Sequence, residues 1–104
     1  MHAIEKIIKA KLKYKQLVHE LSSTLRKNEI SYSELEVLYT IGKYKEVQPS
    51  KIAEDLFQER ASISRILKDL HNRNLIKYIH SKQDRRKVTI SLSKEGTQVL
   101  RKTA

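Results

Sequence analysis

With 104 residues, 38% apolar content, no cysteine and a formal charge of +10, the chain has the size of one domain with a small core. These numbers exclude a disulfide framework and a thiolate metal site, no run approaches the roughly eighteen apolar residues of a membrane span, and no continuous apolar secretory stretch opens the chain. Positive charge concentrates in residues 58–90, with nine basic and three acidic side chains against three and five in residues 31–57, and such a stripe attracts a polyanion through counterion release.

Residues 3–27 read as one long amphipathic helix without Gly or Pro. Ile4, Ile7, Tyr14, Val18, Leu21 and Leu25 follow three- and four-residue steps interrupted by Lys11, and Ile8, Leu12 and Leu17 widen the stripe. So long a helix exceeds what a small domain covers. It is therefore predicted to dimerise, through Ile4, Ile7, Ile8, Tyr14, Val18 and Leu21. The chain divides accordingly into this helix, residues 1–29, and a second unit, residues 30–104.

Asn28 to Ile30 breaks the pattern, and Ser31-Tyr32-Ser33-Glu34 then matches a capping box that starts a second helix. Leu35, Leu38, Tyr39 and Ile41 continue it to about Gly42. Residues 43–48 connect to Pro49, which suits a first helical position because its missing N–H has no partner there anyway. Ile52, Ala53, Leu56 and Phe57 give a short helix its apolar face, residues 58–60 form a turn, and Ser33 and Ser50 are expected to cap helix starts. Over 62–73, Ile63, Ile66, Leu67 and Leu70 bury one face of a fourth helix. Ala61, Ser62, Arg65, Lys68 and Asn72 occupy the opposite face. Asn74 tolerates the left-handed conformation that ends many helices.

Leu75 to Ile79 is β-like, Ser81 to Arg86 is polar and turn-like, and Val88, Ile90 and Leu92 alternate with Thr89 and Ser91 as in a half-buried strand. Ser93 is placed to cap a final helix containing Val99 and Leu100. The predicted fold is mainly α with a small β wing: a long N-terminal helix, a winged helix-turn-helix and a short C-terminal helix. The five tyrosines and Phe57 are mostly assigned to the core.

These residues carry a family likeness. Ile30 to Leu100 resembles the MarR family of winged-helix transcription regulators, including its small SarA-like branch. Ile52-Ala53-Glu54-Asp55-Leu56 looks like the first helix of the family's motif, and Ser62-Ile63-Ser64-Arg65-Ile66-Leu67-Lys68-Asp69-Leu70 like its recognition helix. Asp84-Arg85-Arg86, followed by Ser91-Leu92-Ser93-Lys94-Glu95-Gly96, looks like its wing and the next helix start. Gln48 departs from a frequent Thr cap and Asn74 from a frequent Gly. Members usually continue past the position of Gly96 into long C-terminal helices that build the dimer, whereas this sequence stops at Ala104. The resemblance therefore implies either a homodimer carried mainly by Ala3 to Lys27 or an altered one. It also places the ligand pocket of many members between the DNA-binding and dimer regions, so that sensing of a small-molecule effector is not expected here.

On the recognition helix (62–73), Arg65 suits guanine O6/N7 in the major groove, and Ser62 and Ser64 suit bases or phosphates. Arg60 and Lys68 suit phosphates, and Ala61 a thymine methyl. On the wing (81–87), Arg85 or Arg86 suits a narrow A·T-rich minor groove, and Lys82 and Lys87 flanking phosphates. The resemblance gives Asp84 the task of orienting the wing arginines, paired with Arg86. It also implies that the protein acts as a repressor. His2, His19, His71 and His80 are scattered, and only Gly42 and Gly96 are glycines. No enzyme activity, metal or cofactor is therefore expected. The expected partner is double-stranded DNA, bound in the cytoplasm at the nucleoid. A non-specific architectural DNA-binding protein and a winged-helix protein-interaction module are the two other readings.

Overall fold

The computed structural model describes residues 2–84 and 86–103. Their order is α1 (His2–Lys27), α2 (Tyr32–Tyr44), α3 (Pro49–Asp55), α4 (Arg60–Asn72), β1 (Ile76–His80), β2 (Val88–Leu92) and α5 (Lys94–Thr103). α2 starts at the expected capping box: the Ser31 Oγ accepts from the Glu34 N–H at 3.1 Å, and Glu34 Oε1 accepts from the Ser31 N–H at 2.9 Å. Ser33 lies one residue inside that helix, so Ser31 alone caps it. α3 has Pro at its start, and among the described residues no side chain, Ser50 included, caps it. α4 begins two residues earlier than its apolar period indicates. Glu59 already has N-cap geometry and its carbonyl accepts from the Ile63 N–H, so Arg60 sits on the helix and not in the turn.

Three helices leave by the same backbone device. After α1, Ile30 N–H bonds Leu25 O and Glu29 N–H bonds Arg26 O; after α3, Gln58 bonds Ala53 and Phe57 bonds Glu54; after α4, Leu75 bonds Leu70 and Asn74 bonds His71. Each is the paired closure of a Schellman motif, which needs a left-handed residue and is usually served by Gly. Here Glu29, Phe57 and Asn74 take that position, with φ of 53°, 52° and 61°. The left-handed turn swings Phe57 off the face that carries Ile52 and Ala53. Its ring is 99% exposed, which corrects its assignment to the core. Tyr39 and Tyr14 are exposed as well.

The core is built from α2, α3, α4 and the wing, with Leu38, Ile41, Ile52, Ile63, Leu70 and Ile90 fully buried. β1 and β2 pair antiparallel, Tyr78 opposite Ile90. The α2–α3 connector adds a bridge that the sequence pattern did not reveal: Val47 and Ile90 exchange N–H···O bonds of 3.0 and 2.8 Å. α5 starts from Ser93, whose Oγ donates to the Asn74 carbonyl and accepts from the Gly96 N–H. A Cβ on Gly96 would lie 1.9 Å from the Leu75 carbonyl oxygen, so only glycine lets α5 cross that backbone. α1 packs against α5 near its C-terminal end. Leu25 there is buried, whereas residues 2–17 are exposed throughout. The projecting helix accounts for the radius of gyration of 15.5 Å, above the ~13 Å of a compact hundred-residue domain.

Candidate nucleic-acid interface

α4 has two unlike faces. Ile63, Leu67 and Leu70 are buried and Ile66 is half-buried. Ala61, Ser64, Arg65, Lys68 and Asn72 are exposed and fall three, four or seven residues apart, hence on one stripe. Ser62 is half-buried at the edge of this stripe and Arg60 flanks its other edge. Among the described residues no side chain caps the first turn of α4, which leaves its first backbone N–H groups without a side-chain partner beside Arg60, an arrangement suited to an anion.

The wing loop is ordered by two short polar side chains. Ser81 N–H bonds the Lys87 carbonyl and Lys87 N–H the Asp84 carbonyl, both at 3.0 Å. The Ser81 hydroxyl accepts from the N–H groups of Gln83 and Asp84. Asp84 Oδ1 accepts from both the backbone N–H of Arg86, at 3.0 Å, and its Nε, at 3.2 Å. The expected Asp84–Arg86 pair is thus present. It aims the guanidinium while leaving the side chain 92% exposed. Lys82 and Lys87 are exposed too. Arg85 lies outside the described residues.

Tertiary structure joins these two elements through a third. Gln48, Pro49 and Ser50 at the start of α3, Arg60 at the start of α4, and Arg86 and Lys87 on the wing line one cleft of about 230 Å³. Three cations and an uncapped helix start converge there. The Val47–Ile90 bridge holds the wing against the α3 entrance, and Tyr44 holds α3 itself by donating its hydroxyl proton to Asp55. Lys51 lies 3.4 Å from the same carboxylate. The Tyr44 bond holds the Asp55 carboxyl below the usual carboxylate range, and the Asp55 carboxylate raises both Tyr44 and Lys51. Sequence reasoning missed the parts played by Gln48 and Tyr44. The only local signal was Val47 preceding Pro49, a β-branched residue ahead of a helix start.

The other predicted groups separate. On α1, Ile4, Ile7, Ile8 and Tyr14 are 48, 61, 51 and 50% exposed, as are Leu12 at 62% and Leu17 at 47%. Val18 and Leu21 are half-buried, and Leu21 packs on the core of its own chain. Tyr14 meets Tyr32 edge-on at 5.7 Å. A cavity of about 400 Å³ lies between α1, α2, α5 and the exit of α3, lined by Leu21, Tyr32, Glu36, Tyr39, Leu56 and Thr103 among others. Burial raises the Glu36 carboxyl above its ordinary range. Burial, then the Glu36 charge, pushes the Tyr32 hydroxyl up to about 12. His71 stacks edge-on against Tyr78 at 4.6 Å. Among the described residues, no group of three or more metal-ligating side chains is gathered, and no helix is long and apolar enough to cross a membrane.

The MarR family model matches residues 30–88. Solved structures agree in fold. The transcriptional regulator BldR from Sulfolobus solfataricus superposes with a TM-score of 0.82 at 20% identity, over 98% of this chain and 73% of that one. Streptococcus pneumoniae FabT in complex with DNA gives 0.77 at 26%, over 96% and 71%. A mutant of MarR from E. coli complexed with operator DNA gives 0.79 at 18%, over 94% and 69%. No curated protein sequence matches the chain.

Proposed function

The chain belongs to the MarR family of transcription regulators, and from that premise we propose that it is a sequence-specific double-stranded DNA-binding regulator, working as a homodimer and by repression. One observation carries the reading. Arg60 at the start of α4, the uncapped start of α3 and Arg86 and Lys87 of the wing line a single cleft, and the exposed polar stripe of α4 runs on from Arg60. A surface of that kind fits a duplex: α4 in the major groove, the wing in the neighbouring minor groove, the cleft on the backbone between them. Arg65 reads a base, Ser64 and Ala61 assist it, and Arg60, Lys68, Lys82 and Lys87 hold phosphates. Arg86, aimed by Asp84, enters the minor groove. FabT and E. coli MarR, two relatives in fold, were solved with DNA, which supports the same partner here. The exposed apolar residues of α1 supply the dimer contact, Ile4, Ile7, Ile8 and Tyr14 with Leu12 and Leu17 beside them. Val18 and Leu21 anchor the helix root. Its place in the cell is then on chromosomal DNA in the cytoplasm.

The test is selection of bound sequences from a random duplex pool at near-physiological salt. Enrichment of a two-fold site with half-sites about one helical turn apart is the expected result. Arg65→Ala should then weaken binding by about 1–3 kcal/mol and relax preference at one position per half-site. Retention without enrichment would mean a non-specific architectural binder. No retention would sink DNA binding and favour a protein-interaction module.

A further inference from the structure

Arg73 is the C-cap of α4, yet its guanidinium serves another part of the chain. Its Nη2 donates to the Glu29 carbonyl at 2.6 Å, and its Nη1 lies 3.3 Å from Glu34 Oε2. These partners are 44 and 39 residues away in sequence. Both belong to the corner where α1 passes into α2. The Glu29 carbonyl is fixed by the closed turn at the exit of α1, where φ is 53°. The Glu34 carboxylate is fixed by the capping box, since its Oε1 already accepts from the Ser31 N–H. Its side chain is only 17% exposed and that of Arg73 36%. Neither acceptor can follow a moving arginine. A planar guanidinium donating in two directions fixes orientation as well as distance, which an ammonium group does not.

We infer that Arg73 is a positioning residue for DNA recognition: it sets the angle between α1 and α4. It does not touch a base in this role. In a dimer joined through α1, that angle fixes the separation of the two reading helices, so Arg73 governs which half-site spacing is accepted. This role rests on the dimeric DNA-binding reading above and adds the element that sets its geometry.

The experiment measures binding of the full chain to duplexes that carry the selected half-sites at centre spacings of about 9 to 12 base pairs, and to a lone half-site. Wild type should prefer one spacing by about tenfold, whereas Arg73→Ala should flatten the preference to about twofold and leave lone half-site affinity within about twofold. Arg73→Lys keeps the charge without the planar fork and should flatten it nearly as far; a role limited to charge would be rescued by this variant. If Arg73→Ala lowers the folded fraction, Glu34→Gln replaces it, because the amide oxygen still accepts from the Ser31 N–H.

An unchanged spacing preference in these variants overturns the positioning role and leaves DNA binding standing. Absence of any paired site for wild type overturns the dimeric reading instead. The α1–α4 angle is then read directly by pulsed electron paramagnetic resonance. Spin labels go at Lys13→Cys and Asn72→Cys, in a chain with no cysteine of its own, diluted with unlabelled protein. A broadened distance distribution in Arg73→Ala supports the role, and an unchanged one removes it.

Discussion

Phe57 shows how much one backbone angle decides. In sequence it continues the apolar run of α3 and looks like core. In the fold it occupies the left-handed exit at φ 52° and is 99% exposed. A non-glycine residue there is strained by about 1–2 kcal/mol, and this ring gains no burial in return. Phe57→Gly should therefore raise unfolding free energy by about 1 kcal/mol, since relief of strain outweighs the greater backbone entropy of glycine in the unfolded chain. Urea denaturation of the two proteins side by side decides it; a destabilised Phe57→Gly would show that the ring packs against something in solution. Asn74 meets the same demand with a side chain that tolerates it better, so the same change there should have less effect.

At the level of elements, the contrast is between capped and uncapped helix starts. α2 has a complete capping box on the side of the molecule that faces α1, and Arg73 ties into it. α3 and α4 have no side-chain caps where they meet the cationic cleft. Uncapped helix starts of this kind suit an outside anion such as phosphate. Ser31→Ala removes an N-cap and should lower stability by about 1 kcal/mol. Thermal melting with circular dichroism measures the loss. A change below a few tenths of a kcal/mol would mean that tertiary packing alone holds the start of α2.

The molecule as a whole is a basic winged helix-turn-helix from which one amphipathic helix projects. If each bound unit neutralises about eight phosphates, the logarithm of affinity should fall with the logarithm of salt concentration at a slope near −7. Fluorescence anisotropy on a labelled duplex across a salt series measures it. A slope near −2 would show that the cleft and wing do not both lie on the backbone.

The amino-acid pattern by itself determined the elements and the chemistry they carry. The capping box at Ser31 and Glu34, the two faces of α4, the basic turn ordered by Asp84, and the long stripe of α1 are all set by neighbours within a few residues. Local spacing is sufficient for such features because periodicity and capping are short-range. Only the tertiary structure decided what lies beside what. It brought Arg60 to the wing, bridged Val47 to Ile90, turned Phe57 outward, drew Leu21 into its own core and set Arg73 against Glu29 and Glu34. Each depends on contacts across long stretches of chain or on one left-handed residue, and neither leaves a periodic trace in the sequence.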